Sequence, residues 1–435
     1  MRHDKNSNAS HPLNMANTET SSRLRWIFFV CLAGVLAIIT AKAVIVSLKL
    51  DGDLATLGND SAMRLLLVQN WLSGQGWFDM VEYRLMPPEG VLMHWSRYID
   101  AMIGGLILIF TWVFPVETAQ ILALTVWPAG LSVLLVVVIG FGTRRLFGPV
   151  AACFAMLCTV LWPFTSDFYF LAGAIDHHNV QILMIVLVTF AIIWPDQPVW
   201  SGIVAGVCAA FALAVGLETL PYILVIGALL LVRAHLRVTQ DADRLLAFFC
   251  LTLAVSAVIF GLGQTPWSQL STPVCDQLGL PVLSLIAVAG VASVVPMFVL
   301  SNKPLGRFVL SVVLTALGCA LAWSLLGPCI TGPYGSLPAE VQDIIRNGIS
   351  EGKPGIVYAQ TNLLDYIRMV VPVVGAVIFA SIFLIQLDAS SASRRRRDTI
   401  VQLLVLSAVG VLASFSQIRL LLMTAAAVPV LVGFV

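Results

Sequence analysis

Apolar runs near 20 residues, separated by short polar segments, recur from Trp26 to the end of the chain. Runs of this length cross a ~30 Å hydrocarbon core as α-helices. Strands of a membrane barrel would instead alternate apolar and polar residues over about 10 positions, and no such alternation is present. The pattern predicts an all-α, polytopic transmembrane protein with about 12 spans, near 26–47, 119–141, 149–165, 179–194, 200–217, 220–233, 245–263, 280–300, 308–327, 366–387, 399–415 and 420–435. The stretch 99–115 is also apolar. It is read as a re-entrant or juxtamembrane helix, because a full crossing there would reverse every later loop.

Charge placement fixes the expected orientation. With the N-terminus inside, the inner segments carry Arg144 and Arg145, then Arg233, Arg237 and Arg244, then Lys303 and Arg307, then the run 394–397. Together with the N-terminal tail they hold fifteen of the 24 Lys and Arg residues, as the positive-inside rule requires. Residues 1–25 form a tail; its first 22 residues are polar, rich in Ser, Asn and Thr, and are expected to be disordered. The run behind Arg25 is too long for a signal-peptide core and reads as a retained first span. The transmembrane domain then covers 26–435, with outer loops 48–118, 166–178, 264–279 and 328–365. Short basic inner loops suit a bacterial inner membrane, with any chemistry on the periplasmic side.

Composition closes off other classes. Charged residues are 11 % and apolar ones 59 %, against about 25 % charged in soluble domains. Net charge is only +1, so nothing points to a nucleic-acid partner. The eight cysteines contain no metal-binding spacing. Six lie in apolar runs, where a small buried thiol is ordinary. Cys275 and Cys329 lie in polar outer loops, where disulfides persist, and are a candidate pair.

Four short motifs in the outer regions could carry chemistry. Asp60 opens a helical stretch soon after the first span, either as its N-cap or as a functional acid. Asp176, His177, His178 and Asn179 stand directly before an apolar run. There Asp176 and His178 suit one divalent cation if the backbone is extended, and the four also suit a plain interfacial boundary. Glu351 follows Ile349 and Ser350 in a long Gly- and Pro-rich loop with a short helical middle, AEVQDIIRNG; by itself it reads as a solvated acid. Gln417 and Arg419 separate two apolar runs. An arginine there is either a snorkelling boundary residue or a functional charge.

Taken in order, these elements resemble the catalytic subunit of oligosaccharyltransferase, a family of the GT-C superfamily of membrane glycosyltransferases. Asp60 with WFD at 77–79 and PPEG at 87–90 is similar to the family's first-loop acid and its surroundings. AIDHHN at 174–179 resembles the family's second acidic motif in its DxH form. Ile349-Ser350-Glu351 with Lys353-Pro354 resembles the glutamate motif of the long late loop, and Arg419 the arginine that contacts the lipid-linked phosphate. The family's C-terminal soluble domain with its tryptophan-rich motif has no counterpart, and the chain stops at Val435 inside an apolar run, which reads as a missing tail.

The resemblance implies a GT-C-like architecture and an inverting transfer of a sugar or oligosaccharide from a polyprenyl-phosphate or pyrophosphate donor. A divalent cation, Mn²⁺ or Mg²⁺, is expected on Asp60, Asp176 and His178. Arg419 is expected on the donor phosphate, and Asp60 and Glu351 at the acceptor nucleophile. His177 and Gln417 fall beside these groups as supports. The acceptor is left open among protein, lipid and glycan. Two rivals stand: a GT-C transferase moving a single sugar onto a lipid or polysaccharide, and a lipid flippase or transporter. Transporters place ionisable residues near the midplane, often in internal repeats. Here the acids gather in loops and no repeat is visible.

Overall fold

The computed structural model describes residues 12–50, 57–193, 195–236, 241–300, 303–387 and 391–434. It is almost wholly helical. Thirteen helices carry the argument: α1 (Pro12–Ser47), α2 (Asn59–Leu72), α3 (Arg97–Thr111), α4 (Val116–Phe147), α5 (Pro149–Leu161), α6 (His178–Ile193), α7 (Pro198–Val215), α8 (Leu220–His235), α9 (Ala242–Gln264), α10 (Leu280–Val299), α11 (Pro304–Leu326), α12 (Leu363–Gln386) and α13 (Ser391–Ser414). A small antiparallel pair, β1 (Val81–Glu82) and β2 (Val91–Leu92), sets Val81 opposite Leu92. Prolines at the starts of α5, α7, α10 and α11 sit where the missing N–H has no intrahelical partner to lose.

Among the described residues nine helices are long and apolar enough to cross a membrane, and the chain is an integral membrane protein. Two of the expected spans correspond to α5 and α6, shorter apolar helices. The expected final span is broken instead. It runs as a 3₁₀ segment over Ile418–Ala426 and then a helix over Val428–Phe434. Pro429 stands in the first turn of that helix, where its missing N–H has no intrahelical partner to lose. Nearly all of this segment is buried, packed on α13, α6 and α5.

The tail expected to be disordered divides in two. Residues 1–11 lie outside the described residues, and from Pro12 the chain is already helical. No proline or glycine interrupts the sequence between Leu13 and Trp26, so a helix nucleated in the span extends backward at little cost. The stretch 99–115 forms α3, a helix of 15 residues packed between α2 and α4.

The core centres on α6, whose side chains are buried around most of its circumference against α4, α7 and the 418–426 segment. A helix apolar all round belongs there. Its polar N-terminus therefore opens into the middle of the assembly, not onto its rim.

At the periphery, α11 buries only Arg307, Ser311 and Ala322. It packs along α10, and an ion pair and a disulfide tie its two ends. Arg307 Nη2 lies 2.6 Å from Asp243 Oδ1 at one end. At the other, Cys275 and Cys329 are bonded, with Cα atoms 5.0 Å apart and a sequence separation of 54. Serine at both positions is expected to cost about 2–4 kcal/mol, read as a lower thermal midpoint in detergent. An unchanged midpoint would mean that the bond constrains nothing.

Candidate active site

Asp60 lies in the first turn of α2. The helix is capped by Gly58 without a side-chain bond, so the N-cap reading of Asp60 does not hold. Position in the first turn still favours a carboxylate. The next residue brings the second motif to it: Ser61 Oγ accepts a hydrogen bond from the Ile175 N–H at 3.2 Å. Asn179 holds the same loop from below, its Nδ2 donating to the carbonyls of Tyr169 (3.2 Å) and Ala174 (3.0 Å).

Within that motif the two histidines differ. His177 uses both ring nitrogens, Nδ1 at 2.6 Å from Asp176 Oδ1 and Nε2 at 3.3 Å from Glu218 Oε1. His178 is 1 % exposed, yet neither nitrogen has a hydrogen-bond partner. Its Nδ1 faces Asp176 Oδ2 at 3.6 Å and its Nε2 faces Glu351 Oε1 at 3.7 Å. Both gaps are too long for hydrogen bonds. A buried imidazole with idle nitrogens among carboxylates fits a cation ligand, since an orphaned buried polar atom is otherwise costly.

The donor atoms of Asp176, His177 and His178 lie within 4.8 Å of one another. Asp60 and Glu351 stand outside that compact set but line the same cleft, of about 560 Å³, with Asp176, Arg419, Tyr169 and Met369. Burial and then the carboxylates of Asp176 and Glu351 push Asp60 up. For Asp176, burial acts upward but His177, His178 and Arg64 outweigh it and hold the acid well below the usual range. Burial likewise opposes the charge on His177, yet Asp176 and Glu218 push its pKa up to about 10. Carboxylates crowded this way suit a hard divalent ion, with one imidazole completing the set.

The late loop closes the opposite wall. Ile418 N–H donates to the Lys353 carbonyl at 2.8 Å. At Gly355 a Cβ would come within 2.9 Å of the Ser414 carbonyl, so glycine permits the close approach. Glu351 Oε1 consequently sits 3.7 Å from Arg419 Nη1. Burial raises Glu351, but His178 and Arg419 outweigh it and its pKa is lowered. Arg419 Nη2 donates to Tyr334 Oη at 2.6 Å, and its Nε to Gln417 Oε1 at 3.0 Å. Gln417 Nε2 also donates to Tyr334 Oη, at 3.1 Å.

Three residues here escaped the sequence reading. Glu218 reaches Arg419 Nη1 at 3.8 Å, Tyr334 caps Arg419, and Arg64 lies behind Asp176. Arg64 is fully buried, with Nη1 3.0 Å from Asp100 Oδ1 and Nη2 3.9 Å from Asp176 Oδ1. Arg97 Nη1 reaches the other Asp100 oxygen at 3.2 Å. Of the three, only Arg64 left a signal, as a charge inside the apolar face of a helix one turn after Asp60. Asp100→Asn strands two buried guanidinium groups, so a loss of about 3–5 kcal/mol is expected, measured as reduced thermal stability. A shift below about 1 kcal/mol would refute the pairing.

No family model matches the chain, and no curated protein matches it. Solved structures do. Against the archaeal oligosaccharyltransferase AglB from Archaeoglobus fulgidus in complex with an inhibitory peptide and a dolichol-phosphate, the TM-score is 0.59 at 16 % identity, covering 92 % of this chain and 50 % of that one. The oligosaccharyltransferase of that organism in complex with Zn and sulfate gives 0.54 at 15 %, covering 91 % and 48 %. A third structure, tethered with an acceptor peptide containing the NVT sequon, gives 0.53 at 14 %, covering 92 % and 49 %. This chain thus spans about half the length of the structures it matches. Across nearly all of its own length it has the oligosaccharyltransferase-like GT-C fold.

Proposed function

We propose that this protein is a membrane glycosyltransferase that moves a sugar or oligosaccharide from a polyprenyl-linked phosphate or pyrophosphate donor to an acceptor, with inversion at the anomeric carbon. One observation carries the reading: Asp60, Asp176, Glu351 and Arg419 line a single cleft, with His178 buried behind the acids. The positive-inside count favours the outer face, periplasmic if the membrane is a bacterial inner one. Apolar and aromatic residues of the cleft, Phe164, Phe168 and Met369, suit a lipid carrier.

Asp60, Asp176 and His178 would hold a divalent ion, which supplies Lewis-acid charge against the leaving phosphate. Arg419 binds the same phosphate with a fixed positive charge. The acceptor attacks the anomeric carbon from the face opposite the phosphate. As that bond forms, the bond from the carbon to the phosphate oxygen breaks and the phosphate leaves with the electron pair. Asp60 or Glu351 orients the acceptor and takes its proton. The loop carrying Glu351 keeps water from the reacting carbon.

The decisive experiment is lipid-linked sugar transfer by the purified protein with Mn²⁺, then with EDTA. Release of the polyprenyl phosphate is expected with the ion and is expected to stop with the chelator. Movement of the lipid without transfer, indifferent to EDTA, would overturn the transferase and favour a flippase.

A further inference from the structure

We propose that Tyr169 is a catalytic residue whose hydroxyl donates a hydrogen bond to the leaving phosphate, beside Arg419. The inference rests on the transferase reading above and deepens it.

Tyr169 is held by two rings and a backbone bond. Its ring meets those of Phe164 and His178 edge-on, with centroids 5.4 Å and 4.9 Å away, and its carbonyl accepts from Asn179 Nδ2 at 3.2 Å. The residue lines the cleft together with Asp60, Asp176, Glu351 and Arg419. The charges that act on its hydroxyl are those of Glu351, Arg419, Asp176 and Glu218, so the oxygen stands among the ionised groups of the site. Yet among the described residues that hydroxyl makes no hydrogen bond. A polar group so withdrawn from bulk water costs stability unless a partner arrives.

The state of Arg419 calls for a second donor. Its Nη2 is given to Tyr334 and its Nε to Gln417. Nη1 makes no hydrogen bond and stands 3.7 Å from Glu351 and 3.8 Å from Glu218. The guanidinium thus offers a phosphate one uncommitted nitrogen rather than its two-nitrogen fork. The remaining phosphate oxygens need donors, and the carboxylates of the wall have none to give. A phenol is protonated at neutral pH and carries no charge, so it meets a phosphate oxygen without adding to the repulsion around the ion site. As the bond from the anomeric carbon to the phosphate oxygen breaks, the electron pair collects on the phosphate. A donor already fixed in place gains strength at that moment, and the proton stays on Tyr169.

The test compares wild type with Tyr169→Phe, each as the full chain in detergent. Phenylalanine keeps both ring contacts and removes only the hydroxyl. Polyprenyl phosphate without its sugar, with Mn²⁺ present, is expected to bind the variant about tenfold more weakly. Sugar transfer at saturating donor is expected to fall about a hundredfold, while Mn²⁺ affinity without lipid stays unchanged. Unmoved binding of polyprenyl phosphate overturns the assignment and leaves the transferase intact. So does a loss of Mn²⁺ affinity that matches the loss of rate, which would make the residue a prop for His178. If wild type neither binds polyprenyl phosphate nor releases it from a lipid-linked sugar, the transferase reading fails and this inference with it. Should Tyr169→Phe not fold, a ring-fluorinated tyrosine at position 169, whose hydroxyl is the stronger donor, is expected to tighten polyprenyl phosphate binding. Binding no tighter than that of wild type then overturns the assignment.

Discussion

Asp176→Asn is expected to lower both Mn²⁺ affinity and sugar transfer by at least about a hundredfold, because even the outer partners of a metal ligand are worth about 10–100-fold. Asparagine keeps the volume and one oxygen but loses the charge that faces His177, His178 and Arg64. Alanine should do more damage, since it also removes the remaining oxygen and volume beside the buried Arg64, whose one other carboxylate partner is Asp100. Calorimetric titration of Mn²⁺ into each purified variant, beside the transfer rate and a thermal midpoint, separates the two effects. An asparagine variant with full Mn²⁺ affinity and full rate would remove Asp176 from the ion site.

Arg419→Ala should lower kcat/KM for the lipid-linked donor by about 10²–10³-fold, the range for removing one preorganised group from a developing anion. Arg419→Lys should recover part of it. Lysine restores a positive charge but not the planar fork, so Tyr334 and Gln417 lose the geometry that holds the guanidinium. Kinetics in which donor concentration is varied at saturating acceptor would show this. Unchanged donor kinetics in the alanine variant would dissociate Arg419 from the phosphate.

The helical membrane class was legible because lipid leaves few choices. A chain that satisfies its backbone within helices must show long apolar runs, and these do. Where local chemistry overrode hydropathy, the reading slipped. The run that is apolar from Leu420 onward is divided between a 3₁₀ segment and a short helix, and the helix of α1 reaches back through a polar segment that composition marked as disordered. The placement of candidate residues divides the same way. Asp176 and His178 are neighbours in sequence and could be paired on paper. What brings Asp60 to them is a bond from the Ile175 N–H to the Ser61 hydroxyl, and what brings Glu351 to Arg419 is a backbone bond from Ile418 to Lys353. A backbone bond leaves no trace in residue type, and one serine in a polar stretch does not reveal which distant N–H it accepts. Glu218 was illegible for a related reason. In GLETLPY it reads as a turn acid, and only the fold brings it to Gln181, His177 and Arg419. Tyr334 is one aromatic in a Gly- and Pro-rich loop, and nothing local marks it as the partner of an arginine 85 positions away.

The two ties on α11 bear on how the sequence there can vary. With so few side chains buried, that helix is held along its length chiefly by one neighbour, α10, on which Gly318 packs closely. Its two ends are fixed as well, at Arg307 by Asp243 and beyond Leu326 by the bridge from Cys329 to Cys275. Between the ends Val312, Leu317 and Leu321 turn outward and should accept almost any exchange among apolar residues, while Gly318, where a Cβ would come within 2.6 Å of Val288 Cγ1, and the residues of either support should accept almost none.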